Sequence, residues 1–223
     1  MKFVTQTENL DVVLANTLNE ALTMHKKVVW LVSGGSNVAI SVAASKQIMP
    51  ELRHKLVVMQ LDERYVPMES ENCNWQQLLT AGFDVAKSHV YPVLANDAMS
   101  LENTVQRYEA IVKMEFEQAD YIIGQFGVGN DGHVAGILPE TAAVTASGMV
   151  CGFKGFDFER VTLTFDGLRA VDKALVFAAG ESKLPALHRL KNGEQSIEKL
   201  PARIFEQIED STIYNDDIQS EEK

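Results

Sequence analysis

Only two cysteines, Cys73 and Cys151, occur in 223 residues. That is too few for a disulfide framework, and the opening Met1-Lys2-Phe3-Val4-Thr5-Gln6 lacks the apolar run of a secretory signal. Reduced thiols and a cytoplasmic location are expected. No apolar run approaches the ~20 residues needed to cross a bilayer, so no membrane span is expected. Positive charge is also scarce: 20 Lys and Arg stand against 31 Asp and Glu, a formal net charge of -11. The overall field therefore repels phosphate backbones and anionic lipids, which argues against nucleic acid or a membrane surface as partner. An anionic ligand would need a local cationic site. The five histidines form no cluster with metal-ligand spacing, and no metal is expected. No internal repeat and no linker rich in Pro, Gly and Ser divides the chain.

What is present is the composition of an ordinary globular protein, with 46% hydrophobic and 23% charged residues. The length fits one α/β domain over residues 1–223, with an acidic solvated end from about Asn215 to Lys223. Apolar spacing predicts helices over Asp11 to Leu22, Asn37 to Met49, Leu101 to Phe116 and Ser182 to Leu190. Apolar runs predict strands at Lys27 to Val32, Leu56 to Leu61, Tyr121 to Phe126, Arg160 to Phe165, Ala174 to Ala179 and Thr212 to Tyr214. Strands rich in Val, Ile and Leu that mostly alternate with helices imply a largely parallel central sheet with helices on both faces, Rossmann-like in outline. Ligands gather at the carboxyl ends of such strands. Four suggestive segments fall there: Ser33 to Ser36, Asp62 to Arg64, Gly127 to His133, and Gly180 to Lys183.

Ser33-Gly34-Gly35-Ser36 offers backbone amides and hydroxyls to a phosphate, although the same residues fit a tight strand-to-helix turn. It is not a Walker A loop, which needs a following Gly-Lys-Ser/Thr. Gly127-Val128-Gly129-Asn130-Asp131-Gly132 satisfies a bare Gly-x-Gly-x-x-Gly, but Gly136 and Pro139 interrupt the long helix that a dinucleotide site requires. No redox or nucleotide cofactor is expected. His133 follows at once, and an imidazole with an unperturbed pKa of ~6.5 can take a proton from water near neutrality, with Asp131 to orient it. Asp62-Glu63-Arg64 puts three charges at a strand end, at least one of them facing the cleft. Cys73 has no flanking base to make it a nucleophile. Arg160 and Lys183 are available cations for a phosphate dianion, although Arg160 begins its strand.

Taken together, these segments resemble the superfamily of glucosamine-6-phosphate isomerases and 6-phosphogluconolactonases. The resemblance runs from about Val28 to Tyr214. It rests on Gly127 to Ala135, on Val32 to Ser36, on Leu61-Asp62-Glu63-Arg64-Tyr65-Val66-Pro67 with Asn74, and on Arg160 to Thr164. The isomerase/deaminase branch typically carries a Glu before the proline that follows the Asp-Gly-His motif, where this chain has Leu138 before Pro139. It also has Asp-Glu-Tyr where this chain and the lactonase branch have Asp-Glu-Arg. The resemblance therefore implies hydrolysis of 6-phosphoglucono-δ-lactone to 6-phosphogluconate, a pentose phosphate pathway step, with a phosphorylated sugar lactone as small-molecule partner. It further implies that Ser33, Gly34, Gly35, Ser36, Asp62, Asn74, Gly129, Arg160 and Lys183 bind substrate, while His133, Asp131 and Arg64 carry the chemistry. An amino-sugar phosphate isomerase and a non-catalytic sugar-phosphate-binding protein are the alternatives on the same scaffold. Asn37, Val38, Cys73 and Gly136 depart from the usual pattern of Thr, Pro, Ser and Ser.

Overall fold

The computed structural model describes residues 1–95, 98–193 and 195–218. The chain begins with β1 (Lys2–Val4), α1 (Leu10–Met24), β2 (Val28–Val32), α2 (Val38–Ser45), β3 (Leu56–Gln60) and β4 (Asp62–Arg64). It continues with α3 (Asn74–Thr80), β5 (His89–Tyr91), α4 (Leu101–Gln118), β6 (Tyr121–Phe126), β7 (Val150–Lys154) and β8 (Glu159–Leu163). The last elements are α5 (Phe165–Leu168), β9 (Lys173–Phe177), α6 (Leu184–Lys191) and β10 (Asp210–Tyr214). None of the described helices is long and apolar enough to cross a membrane.

Seven strands form one sheet in the order β1-β10-β9-β6-β2-β3-β5, and each neighbouring pair is parallel. Successive side chains of a strand face opposite sides, so β2 feeds two layers at once. Val29 and Leu31 face a layer built with Tyr108 and Val112 of α4 and Leu187 and Leu190 of α6. Val28, Trp30 and Val32 face the other layer, with Leu14, Leu18 and Leu22 of α1 and Val42 of α2. Both faces are thus covered by helices, which is why the central strands read as unbroken apolar runs.

The expected strand from Arg160 to Phe165 belongs elsewhere. β8 spans Glu159–Leu163 and pairs antiparallel with both β4 and β7 in a separate three-stranded sheet. Asp62-Glu63-Arg64, read as a charged strand end, is itself a strand of that sheet. The helix expected over Asn37 to Met49 is shorter, a 3-10 turn at Gly35–Asn37 leading into α2, and the one expected from Ser182 begins as a 3-10 turn at Glu181–Lys183.

The C-terminal segment departs from the expected solvated end. Asn215 and Ile218 are buried. The Asn215 Nδ2 donates to the Ala178 carbonyl at 2.6 Å, and its Oδ1 accepts from the backbone of Asp217 and Ile218 at 3.0 and 2.7 Å. A buried polar group with satisfied bonds favours order, so the chain stays docked past β10. Gln219 to Lys223 lie outside the described residues. Asn215→Ala removes these bonds together with a longer one from Nδ2 to the Gly180 carbonyl at 3.4 Å, and should lower stability by about 2 kcal/mol in urea unfolding, whereas a loss below ~0.5 kcal/mol would refute this anchor.

Candidate active site

In chain order the sheet grows outward from β2 through β3 to β5, and then β6 returns to the other side of β2. The loops leaving β2 and β6 therefore diverge, and the crevice between them is where open parallel sheets take ligands. A cavity of about 460 Å³ opens there. Of the twelve site residues expected from sequence, Ser33, Gly34, Gly35, Ser36, Asp62 and Arg64 line it, as do Asn74, Gly129, His133, Arg160 and Lys183. Asp131 alone is not part of the lining; it is exposed and bonds to His133. The lining also includes Asn37, Gly127, Val128, Ala135, Gly136 and Asp157, none of which was expected from sequence as a site residue.

β4 explains the fate of its three charges. Alternation turns Asp62 and Arg64 to the cavity and sends Glu63 inward, where it is 0% exposed. The Glu63 carboxylate accepts from the Gln60 Nε2 and from the backbone of Arg64, Asn74 and Trp75, all at 2.7 to 2.8 Å. The Asn74 and Trp75 amides are the first two of α3, so Glu63 caps that helix from a distant strand. Burial pushes the Glu63 pKa up, opposed by these donors. The Cys73 thiol also points at Glu63, at 3.4 Å, and burial together with that carboxylate pushes its pKa up to about 11. Cys73 is a packed thiol, not a nucleophile.

Arg160 lies directly across from Arg64 in the β4–β8 ladder. Because the pairing is antiparallel, the start of β8 meets the end of β4, and a residue that opens its strand reaches the cavity. Two guanidinium groups side by side repel one another and attract anions. Asp62 offsets them: its Oδ2 is 4.0 Å from the Arg160 Nη1. Burial raises the Asp62 pKa, against the lowering effect of Arg160, Arg64 and His133. The Arg64 Nη1 donates to the Asn72 carbonyl at 2.9 Å, while the Nε of both arginines is buried without a hydrogen-bond partner among the described residues. Asp157 takes the Arg160 Nη2 with both oxygens, each at 3.0 Å.

The loop after β6 positions the imidazole. The His133 Nδ1 lies 2.7 Å from the Asp131 Oδ1, and the His133 backbone N–H donates to the same oxygen at 3.1 Å. Burial alone would raise the Asp131 pKa, but these bonds outweigh it and hold it at about 2. A carboxylate that stays ionised fixes the Nδ1 proton and leaves Nε2 with its lone pair. Gly129 makes this arrangement possible, because a Cβ there would sit 2.1 Å from the His133 Nδ1. The chain then reverses through Val134-Ala135-Gly136-Ile137, with φ of 47° at Ala135 and 69° at Gly136, the two left-handed residues of a type I′ turn. The Thr162 hydroxyl donates to the Ala135 carbonyl and ties this turn to β8.

Residues 5–214 match the family model described as glucosamine-6-phosphate isomerases/6-phosphogluconolactonase. The chain belongs to this family. Among curated relatives, a 6-phosphogluconolactonase of Synechocystis is 28% identical over 174 residues, covering 74% of this chain and 71% of that one. Among solved structures, the 6-phosphogluconolactonase from Thermotoga maritima superposes with a TM-score of 0.79 at 22% identity, covering 96% of both chains. A monomeric glucosamine-6-phosphate deaminase superposes almost as well, with a TM-score of 0.78 at 18% identity over 96% of this chain and 97% of that one. The seven-stranded parallel sheet is the sheet of this fold family.

Within the family's pattern, the departures in this chain have local accounts. The Asn37 Nδ2 donates to the Ser33 Oγ at 3.2 Å, and its carbonyl accepts from the Ser41 Oγ and the Gln125 Nε2 at 3.1 and 3.3 Å. A buried polar shelf thus braces the serine-glycine loop from below. Gly136 leaves room for the Asp62 carboxylate, since a Cβ there would meet the Asp62 Oδ2 at 2.7 Å. The folded Asp131 pKa of about 2 lies below the ordinary aspartate value of 3.8. Its contribution to stability is therefore complete above ~4 and is lost as pH falls through ~2. The stability gap between wild type and Asp131→Asn, followed by urea midpoints across pH, should close as pH falls between ~4 and ~2. A gap that stays flat to pH ~2 would contradict the Asp131–His133 bond.

Proposed function

We propose that the protein hydrolyses 6-phosphoglucono-δ-lactone to 6-phosphogluconate, the lactonase step of the pentose phosphate pathway. The observation that carries this reading is the cavity itself, where a braced imidazole faces a serine-glycine loop and three cations, Arg64, Arg160 and Lys183. Curated relatives named 6-phosphogluconolactonase support the same activity. The deaminase alternative needs a carboxylic acid before Pro139 for ring opening. That position is Leu138, packed in the core at 7% exposure.

In the proposed mechanism the phosphate sits against Ser33 to Ser36, Arg160 and Lys183, with Asn74 and Asp62 toward the sugar hydroxyls. His133 Nε2 takes a proton from water as the water oxygen bonds to the lactone carbonyl carbon. Asp131 holds the ring and stabilises the imidazolium. Arg64 donates to the carbonyl oxygen as negative charge develops there, an effect worth ~3 kcal/mol for a well-placed donor. The tetrahedral intermediate then collapses, the bond from the carbonyl carbon to the ring oxygen breaks, and His133 returns the proton to the leaving alkoxide. Water is consumed, and the products are a carboxylic acid, which ionises, and a free hydroxyl. No cofactor enters this balance.

A lactonase assay corrected for spontaneous opening tests the reading, with ammonia release from glucosamine 6-phosphate as the competing outcome. Lactone opening no faster than the spontaneous rate would leave only a binding protein. His133→Ala should lower kcat by about 10²- to 10⁴-fold with binding of 6-phosphogluconate mostly retained. Gly129→Ala should displace the ring and lower kcat by about 10²-fold although residue 129 has no side chain to react. Wild-type turnover in either variant would reject His133 as the base. Arg160→Ala should raise KM by about ten-fold or more, and an unchanged KM would move the phosphate elsewhere.

A further inference from the structure

The antiparallel hairpin of β7 and β8 brings one more acid to the cavity. Asp157 lies in the turn between these strands and lines the cavity. Its two oxygens both lie 3.0 Å from a single nitrogen, the Arg160 Nη2. The two partners differ in setting: the Arg160 side chain is 10% exposed and that of Asp157 is 53% exposed. Arg160 is therefore fixed by its surroundings, and Asp157 is the partner with room to leave. The rest of the guanidinium is poorly used: among the described residues Nη1 has the Asp62 oxygen at 4.0 Å and Nε has no hydrogen-bond partner. Phe156, next in the turn, is 87% exposed and gives the tip no packing to hold it.

From this geometry we propose that Asp157 is a resident competitor for the phosphate group of the ligand, occupying Arg160 in the empty cavity and giving it up when phosphate arrives. The proposal rests on the reading of Arg160 as a phosphate ligand. A phosphate dianion offers three oxygens to the same fork and more charge than a carboxylate, so it takes the guanidinium from a half-exposed partner at little cost. The released carboxylate has its own stop: the Phe158 backbone N–H donates to the Asp157 Oδ1 at 2.8 Å, a bond inside the turn that does not depend on Arg160. Asp157 thereby sets affinity. It weakens the capture of any phosphate ester by occupying a donor the ester needs.

The test compares wild type with Asp157→Asn, Asp157→Ser and Asp157→Glu by calorimetric titration with inorganic phosphate and with 6-phosphogluconate. Asn keeps the Oδ1 acceptor for Phe158 and loses the charge, and Ser checks that the effect is not peculiar to the amide. Asn and Ser should each tighten both ligands by about three- to ten-fold, while Glu, which keeps the charge, should bind as weakly as wild type. In a crystal structure with phosphate bound, the Asp157 oxygens should have left Nη2. If wild type binds both ligands and Asn and Ser bind equally or less tightly, or Asp157 stays on Nη2 beside bound phosphate, the competitor role falls and the phosphate site stands. If neither ligand binds wild type or any variant, the phosphate-site reading falls and takes the competitor with it.

Discussion

One buried carboxylate, Glu63, holds the two halves of the cavity wall together. It accepts from the side chain of Gln60 at the end of β3, from the backbone of β4, and from the first amides of α3. A carboxyl group with no exposure is tolerated only where hydrogen-bond partners satisfy it, and here every donor comes from a segment that lines or supports the cavity. The Gln60 Oε1 extends the same junction by accepting from the Val93 backbone at 2.9 Å, beyond β5. The large parallel sheet, the small antiparallel sheet and α3 thus converge on one side chain. Asp62, Arg64 and Asn74 take their positions from it, as its immediate neighbours in sequence or in the capped helix.

The electrostatics of the cavity run against those of the chain. A protein with a net charge of -11 places Arg64, Arg160 and Lys183 around one opening. Two arginines directly across a ladder are unfavourable unless something answers their charge. Asp62 and Asp157 do so in different ways. Asp62 is buried between the strands, and desolvation raises its pKa against the lowering effect of Arg160, Arg64 and His133. Asp157 is exposed, and its ordinary pKa is lowered, burial being outweighed by the Arg160 bond and field. The first acid belongs to the framework and the second to the solvent edge, which is why only the second can exchange with a ligand.

The parallel sheet is legible in the sequence because its central strands are buried on both faces and are mostly apolar, Val28–Val32 above all. The loops at the carboxyl ends of β2, β6 and β9 follow directly from that. The antiparallel sheet is not legible. β4 is three charged residues with no apolar signal, and β7 is half exposed. Without that sheet the direction of β8 is unknown, and a residue at its start would be assigned to the wrong end of a parallel array. The ladder that pairs Arg64 with Arg160 reverses the inference. Asn37 and Asp157 escape motif reading for another reason: their work is to bond Ser33 and Arg160, and such pairings across a fold leave no fixed spacing along the chain. The buried Asn215 escapes likewise, since an acidic segment looks solvated until its backbone partners are known.

Shape alone does not choose the chemistry. A lactonase and a deaminase superpose on this chain with TM-scores of 0.79 and 0.78, a difference too small to decide anything. A scaffold fixes where loops meet, while reaction type depends on the groups those loops carry. In the proposed reading the serine-glycine loop and the cations hold a phosphate that both candidate substrates carry, so they do not separate the two activities. The discrimination falls on the segment after His133. There the type I′ turn at Ala135 and Gly136 sends Ile137 and Leu138 back into the core, and an apolar side chain is buried where an isomerase needs a proton carrier. In the proposed mechanism the braced imidazole of His133 moves one proton from water to the leaving alkoxide. Ester hydrolysis needs only that one proton relay, whereas isomerisation needs a second group to shuttle protons between carbon and oxygen.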